Sequence, residues 1–152
     1  MNGPSFEALK RFFESAPVAQ TATRPLSRDA RVNVTLGEGP ARFTMESGSP
    51  ALLPGAAPAP DFTLELPDGA VRRLTTLRSD DVGEFGVEFF KLVLEHAPEL
   101  KTRIHVDAPV SQLLSHGYLK VLAQGGLKVT WWLLRNGVKN PMAAIERLRG
   151  AR

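Results

Sequence analysis

The chain of 152 residues is 43% hydrophobic and 23% charged, which suits a single globular domain with a core of its own and argues against disorder. It has no cysteine, so a disulfide framework and a thiolate metal site are both excluded. The net charge of +3 is unevenly spread: from Lys120 onward come Lys120, Lys128, Arg135, Lys139, Arg147, Arg149 and Arg152 against the single acid Glu146, a basic end suited either to phosphates or to plain solvation.

In chain order, Ser5 to Ser15 has Phe6, Leu9, Phe12 and Phe13 on one side, an amphipathic helix with Pro4 or Ser5 at its start. Pro17 ends it. Val18 to Asp29, polar and holding Pro25, reads as a linker or extended arm, so residues 1–29 form a helix and arm ahead of a domain over 30–152. Arg31 to Leu36 alternates with Val32, Val34 and Leu36 on one side, and Ala41 to Glu46 follows across the turn Gly37-Glu38-Gly39-Pro40, so a hairpin is expected. Ala51 to Leu53 makes a short third strand. After the Pro/Ala-rich loop 54–60, Asp61 to Leu66 alternates again, and the first half reads as an antiparallel meander.

Residues 68–77 fit either a further strand or a helix with Val71, Leu74 and Leu77 inward, the helix being preferred. Ser79-Asp80-Asp81 is an N-cap signal for a helix carrying Phe85, Phe89, Phe90 and Val93 and ending near His96-Ala97-Pro98. Thr102 to Val106 is the last strand. Val110 to Leu134 then places Val110, Leu113, Leu114, Gly117, Tyr118, Val121 and Leu122 on one helical face. Gly125-Gly126 invites a bend or break, and Leu127, Trp131 and Leu134 resume the spacing until Asn136-Gly137 stops it. Gly117 stands where a side chain is expected, which predicts close approach of a neighbouring element or a ligand. Asn140-Pro141 caps a final helix with Met142, Ile145 and Leu148 inward.

Catalytic and cofactor motifs are missing. His96, His105 and His116 fall on separate elements, and H-E-x-x-H, P-loop, G-x-G-x-x-G and G-x-S-x-G patterns are absent. Ser115-His116 are helical neighbours pointing about 100° apart, poorly placed for base catalysis. Helix capping and a solvated face account for Asp80, Asp81, Glu84 and Glu88. No cofactor, metal or nucleic-acid partner is expected, since the basic end lacks a recognisable nucleic-acid motif. The opening MNGPSFEALKRFFESAP has no basic leader followed by an apolar core, and Leu127 to Leu134 is far short of the roughly 20 residues of a bilayer span. A soluble, cytoplasmic protein is expected.

Laid out in this way, the chain resembles the sterol-carrier-protein (type 2) lipid-transfer domain family. RFTMESGSPALLPGAAPAPDFTLELP looks like that family's strands and turn before the central helices. VGEFGVEFFKLVL sits where those helices sit, and TRIHVDAPVSQLLSHGYLKVL looks like the late strand and closing helix. The likeness covers roughly Ala30 to Leu134 and rests on patterns of hydrophobicity. It implies an α+β fold, a mostly antiparallel five-stranded sheet covered by helices, with an apolar tunnel between them and no catalytic residues.

Together these readings give the expectation of a non-catalytic domain that binds or transfers a lipid or other long apolar molecule. The expected lining is Phe85, Phe89, Val93, Leu114, Tyr118, Leu122, Trp131 and Trp132, rings and aliphatic chains dense enough to edge a pocket as well as fill a core. Peripheral contact with an anionic membrane through the basic C-terminus would accompany such a role. The alternative is an accessory module that docks a protein partner on the exposed Trp/Leu surface near the C-terminus.

Overall fold

The computed structural model describes residues 3–77, 80–124 and 126–137. The side chains of Leu122, Leu127, Lys128 and Leu133, the cap position Ser79, and the expected final helix with Met142, Ile145 and Leu148 lie outside the described residues.

The chain begins with α1 (Pro4–Ser15), with Pro4 in the first turn, where its missing N–H costs nothing. Its N-terminus is capped from a distance. The Glu38 carboxylate accepts from the Ser5 and Phe6 backbone N–H groups at 2.8 and 3.0 Å, placing a negative charge at the positive end of the helix. The segment expected as an arm instead opens with a second helix, α2 (Pro17–Thr23). Pro17 starts this helix rather than only ending the last one, and Val18, Ala19 and Ala22 give it a buried face.

The strands β1 (Arg31–Leu36), β2 (Gly39–Glu46), β3 (Ser49–Pro54), β4 (Phe62–Glu65) and β5 (Arg103–Val106) form one sheet in the order β3-β2-β1-β4-β5. The first three make the expected meander, with Arg31 opposite Thr44 and Thr44 opposite Ala51. The β2–β3 turn has both Ser47 and Gly48 at positive φ, 53° and 81°, the conformation that matches the twist of a two-residue hairpin. The continuation of the meander is corrected by β4, which pairs with β1 in parallel, Val32 beside Phe62. The Pro/Ala loop carries the chain from the β3 edge back past β2 and β1, so β4 runs in the direction of β1. The sheet is therefore mixed, with one parallel pair among antiparallel ones.

One face of the sheet is apolar. Val32, Val34, Ala41, Phe43, Met45 and Leu52 are buried there against Phe6 and Leu9 of α1. Helices α3 (Asp68–Thr75) and α4 (Val82–Val93) add Val71, Leu74 and Leu92 to the same core. The preferred helix over 68–77 is thus present. Gly69 lets it close on the connection between α4 and β5, since a Cβ there would lie 2.4 Å from the Glu99 carbonyl oxygen. The Asp81 side chain caps α4 by accepting from the Gly83 N–H at 2.8 Å. On the other face of the sheet Arg42, Asn33, Thr63 and His105 form a polar row across adjacent strands.

The long C-terminal segment is divided into α5 (Val110–Ser115), α6 (Tyr118–Gln124) and α7 (Gly126–Arg135). The first break comes at Gly117, whose φ of 93° no continuing right-handed helix allows. A Cβ on Gly117 would stand 2.3 Å from the Pro25 carbonyl oxygen, which is the close approach the sequence predicts. The bend or break expected at Gly125-Gly126 falls on Gly125, which lies outside the described residues. Gly137, at a φ of 86°, follows the last helix. No helix among the described residues is long and apolar enough to cross a membrane.

Candidate functional site

Helices α4 and α7 meet where a glycine removes bulk. A Cβ on Gly86 would lie 2.8 Å from Val129 Cγ2, so Gly86 lets Val129, 3% exposed, seat directly on the α4 backbone. A groove of about 800 Å³ is lined by residues of both helices. Glu84, Val87 and Glu88 line it from one turn of α4, Trp131, Trp132 and Arg135 from α7, and Leu77 from the segment after α3. Glu84 has Val87 and Glu88 at i+3 and i+4, and Arg135 lies at i+4 from Trp131 and i+3 from Trp132, the spacings of neighbours on a helical face. The floor is apolar and the charges sit on the rim. Glu88 meets Lys91 at 3.1 Å and Arg73 at 3.9 Å, exposed pairs that contribute little to stability. Trp131 is 60% exposed and Leu134 45%, an uncovered apolar surface unusual for a ring of that size.

Of the eight residues expected to line a pocket, seven have described side chains, Leu122 being the exception, and these seven do not share one. Trp131 and Trp132 come together in the groove. Phe85 and Phe89 pack instead toward the core: Phe85 stacks on Phe12 at a ring separation of 5.5 Å, and Phe89 meets Phe90 edge-on. Val93 is half-buried at the end of α4, where its carbonyl accepts from Lys101 Nζ. Leu114 is exposed. One reason is the break at Gly117, whose positive φ ends the single helical face expected over Val110 to Leu134.

Tyr118 belongs to a different assembly, centred on Asp61, a residue the sequence pattern marks only as the start of a strand. Asp61 is 1% exposed. Its carboxylate takes four hydrogen bonds, from Gln112 Nε2 at 2.7 Å, Tyr118 OH at 2.8 Å, His116 Nδ1 at 2.9 Å and the Arg31 backbone N–H at 3.2 Å. Its backbone carbonyl accepts from the Asp107 and Ala108 N–H groups. A buried carboxylate is tolerated when its lone pairs are filled in this way. The acceptor at Nδ1 fixes the imidazole with its proton on that nitrogen. Burial, then the charge of Asp61 and the hydrogen bond to it, push the Tyr118 phenol far above its ordinary range, so it stays a neutral donor. The ring of Tyr118 lies edge-on to Phe62 at 4.7 Å. The set ties the β4 start, the 107–108 turn, α5 and α6 into one knot, and the nearby hydroxyl of Ser115 is turned to the Gln112 carbonyl. Among the described residues no group of three or more histidine or carboxylate side chains is placed to hold a metal ion.

Neither a protein-family model, nor a curated protein, nor a solved structure matches the chain, so the reading of these sites rests on their own geometry.

Proposed function

We propose that the protein is a non-catalytic, cytoplasmic carrier of the sterol-carrier kind that binds a lipid or another long apolar molecule. The observation that carries this reading is the groove between α4 and α7, about 800 Å³ in volume, with an apolar floor formed by Leu77, Val87, Trp131 and Trp132. A volume of this size lies within the usual span of small-molecule sites. Burying a long chain against such a floor is favourable by about 25 cal/mol per Å². The five-stranded sheet with helices on its apolar face agrees with the layout that the sequence resemblance implies. The Asp61 set supports the non-catalytic part, since its carboxylate is filled by partners and its phenol is held neutral.

Both tryptophans of the chain line the groove, so intrinsic fluorescence reads its occupancy directly. Titration with oleyl alcohol below its aggregation threshold is expected to give a saturable blue shift, and Val87→Asp is expected to abolish it. Native mass spectrometry with organic extraction would identify a co-purifying ligand. An emission spectrum indifferent to oleyl alcohol, with nothing extracted, sinks the reading. It would leave the second one, a protein-docking surface, which the exposure of Trp131 and Leu134 favours.

A further inference from the structure

We propose that a cleft on the polar face of the sheet, separate from the groove, is a binding site for a small organic ammonium ion held by Asp107. The cleft has a volume of about 480 Å³ and lies between the 57–60 loop, Thr63 of β4 and the 107–112 segment. Its walls are fixed. Asn33, in the middle of β1, clasps the loop twice, accepting from the Ala57 N–H at 2.7 Å and donating to the Ala57 carbonyl at 3.1 Å. Pro58, Pro60 and Pro109 stiffen both sides. The opposite wall is held by the Asp61 knot through Gln112.

The hydrogen-bonding character of this cleft is one-sided. The three prolines have no N–H to offer. The Ala57 N–H is taken by Asn33, and those of Asp107 and Ala108 by the Asp61 carbonyl. Thr63 has given its hydroxyl proton to Asp107 Oδ2 at 2.7 Å, leaving its oxygen lone pairs, and Gln112 has turned its amide nitrogen to Asp61, leaving its amide oxygen as an acceptor. Asp107 is the one ionisable residue of the lining. Beside it, His105 Nε2 lies 3.5 Å from Oδ1, while His105 Nδ1 is buried without a partner, so the imidazole proton belongs on Nε2, facing the carboxylate. The next cation in the row, Arg42, spends its guanidinium on the Pro54 and Gly55 carbonyls. An anion would find few donors here. A primary ammonium group, with three donors and a positive charge, complements the carboxylate and the two spare acceptors, and the Pro and Ala walls accept its alkyl part.

The test compares three probes of one shape, n-butylammonium, n-butanol and butyrate, by amide NMR of the isotope-labelled full chain at fixed ionic strength. Saturable shifts confined to Asn33, Ala57, Thr63 and Gln112 are expected for n-butylammonium and not for the other two. Asp107→Asn keeps an oxygen for the Thr63 hydroxyl and is expected to weaken n-butylammonium binding about tenfold or more, the loss of one hydrogen bond to a charge. Equal shifts from n-butanol, shifts spread over the acidic surface at Glu84 and Glu88, or undiminished affinity in Asp107→Asn each overturn the proposal. Should the variant fail to fold, the three-probe comparison on the parent chain decides by itself.

Discussion

Asp61 shows what a single residue can organise without announcing itself. Its partners are 30, 51, 55 and 57 positions away in the chain, and no local spacing encodes them. In the sequence Asp61 is one more polar residue beside a proline. Tyr118 was legible as a ring on an apolar helical face; the partner of its hydroxyl was not. The pairing has a consequence for pH. The folded phenol holds its proton more tightly than an unfolded tyrosine does. The stabilisation is therefore fully present below the unfolded value of about 10 and is lost progressively as pH rises above it. Alkaline denaturation of the parent is expected to begin in that range, and Tyr118→Phe to flatten the decline while lowering stability at neutral pH by about 1.5–3 kcal/mol. The chain has one tyrosine, so its ultraviolet absorbance titrates Tyr118 directly. Phenolate appearing near pH 10 with the fold intact would contradict the buried hydrogen bond.

At the scale of elements, strands were the more legible. Alternation named β1 and β4, and the turn residues between Leu36 and Ala41 placed β2 as the partner of β1 in the first hairpin. The parallel pairing of β4 with β1 was not legible, because a loop of prolines and alanines does not record which edge it crosses to. Helix α2 was hidden by its shortness and by a polar half, and the length of the C-terminal helix was overstated because periodicity is blind to backbone sign. Gly117 keeps the apolar spacing while its φ of 93° ends the helix. Two separate costs follow for Gly117→Ala: the left-handed conformation itself, and a collision with the Pro25 carbonyl. Gly48 has a similar φ, 81°, and nothing within 4 Å of its notional Cβ. Gly48→Ala should cost about 1 kcal/mol, from backbone strain, and Gly117→Ala roughly 1–3 kcal/mol more. Urea denaturation of the two variants side by side separates these terms. Equal midpoints would mean that the contact with Pro25 has no energetic weight.

For the whole molecule, the exposed surface of α7 is followed in the sequence by a run of basic residues. Helix α7 exposes Trp131 and Leu134 and carries Arg135 at its last turn, and the basic residues Lys139, Arg147, Arg149 and Arg152 follow it in the chain. A carrier of the proposed kind would load from a bilayer, and exposed tryptophan and arginine beside the groove would favour that contact. Tryptophan and long basic side chains favour the headgroup zone, and each basic residue near an anionic surface contributes about 1 kcal/mol. That attraction is screened over roughly 10 Å at 0.1 M salt, whereas insertion of Trp131 is apolar and is not weakened by salt. The two contributions are therefore separable by co-sedimentation with vesicles of phosphatidylcholine, with and without phosphatidylserine, across a salt series. Binding is expected to require the anionic lipid, to fall as salt rises, and to drop in the double variant Arg147→Ala/Arg149→Ala. Trp131→Ala is expected to lower binding at every salt concentration while leaving the salt dependence in place. Equal pelleting with neutral and anionic vesicles, or none with either, removes the membrane from the proposed cycle and leaves loading to a protein partner at the same exposed surface.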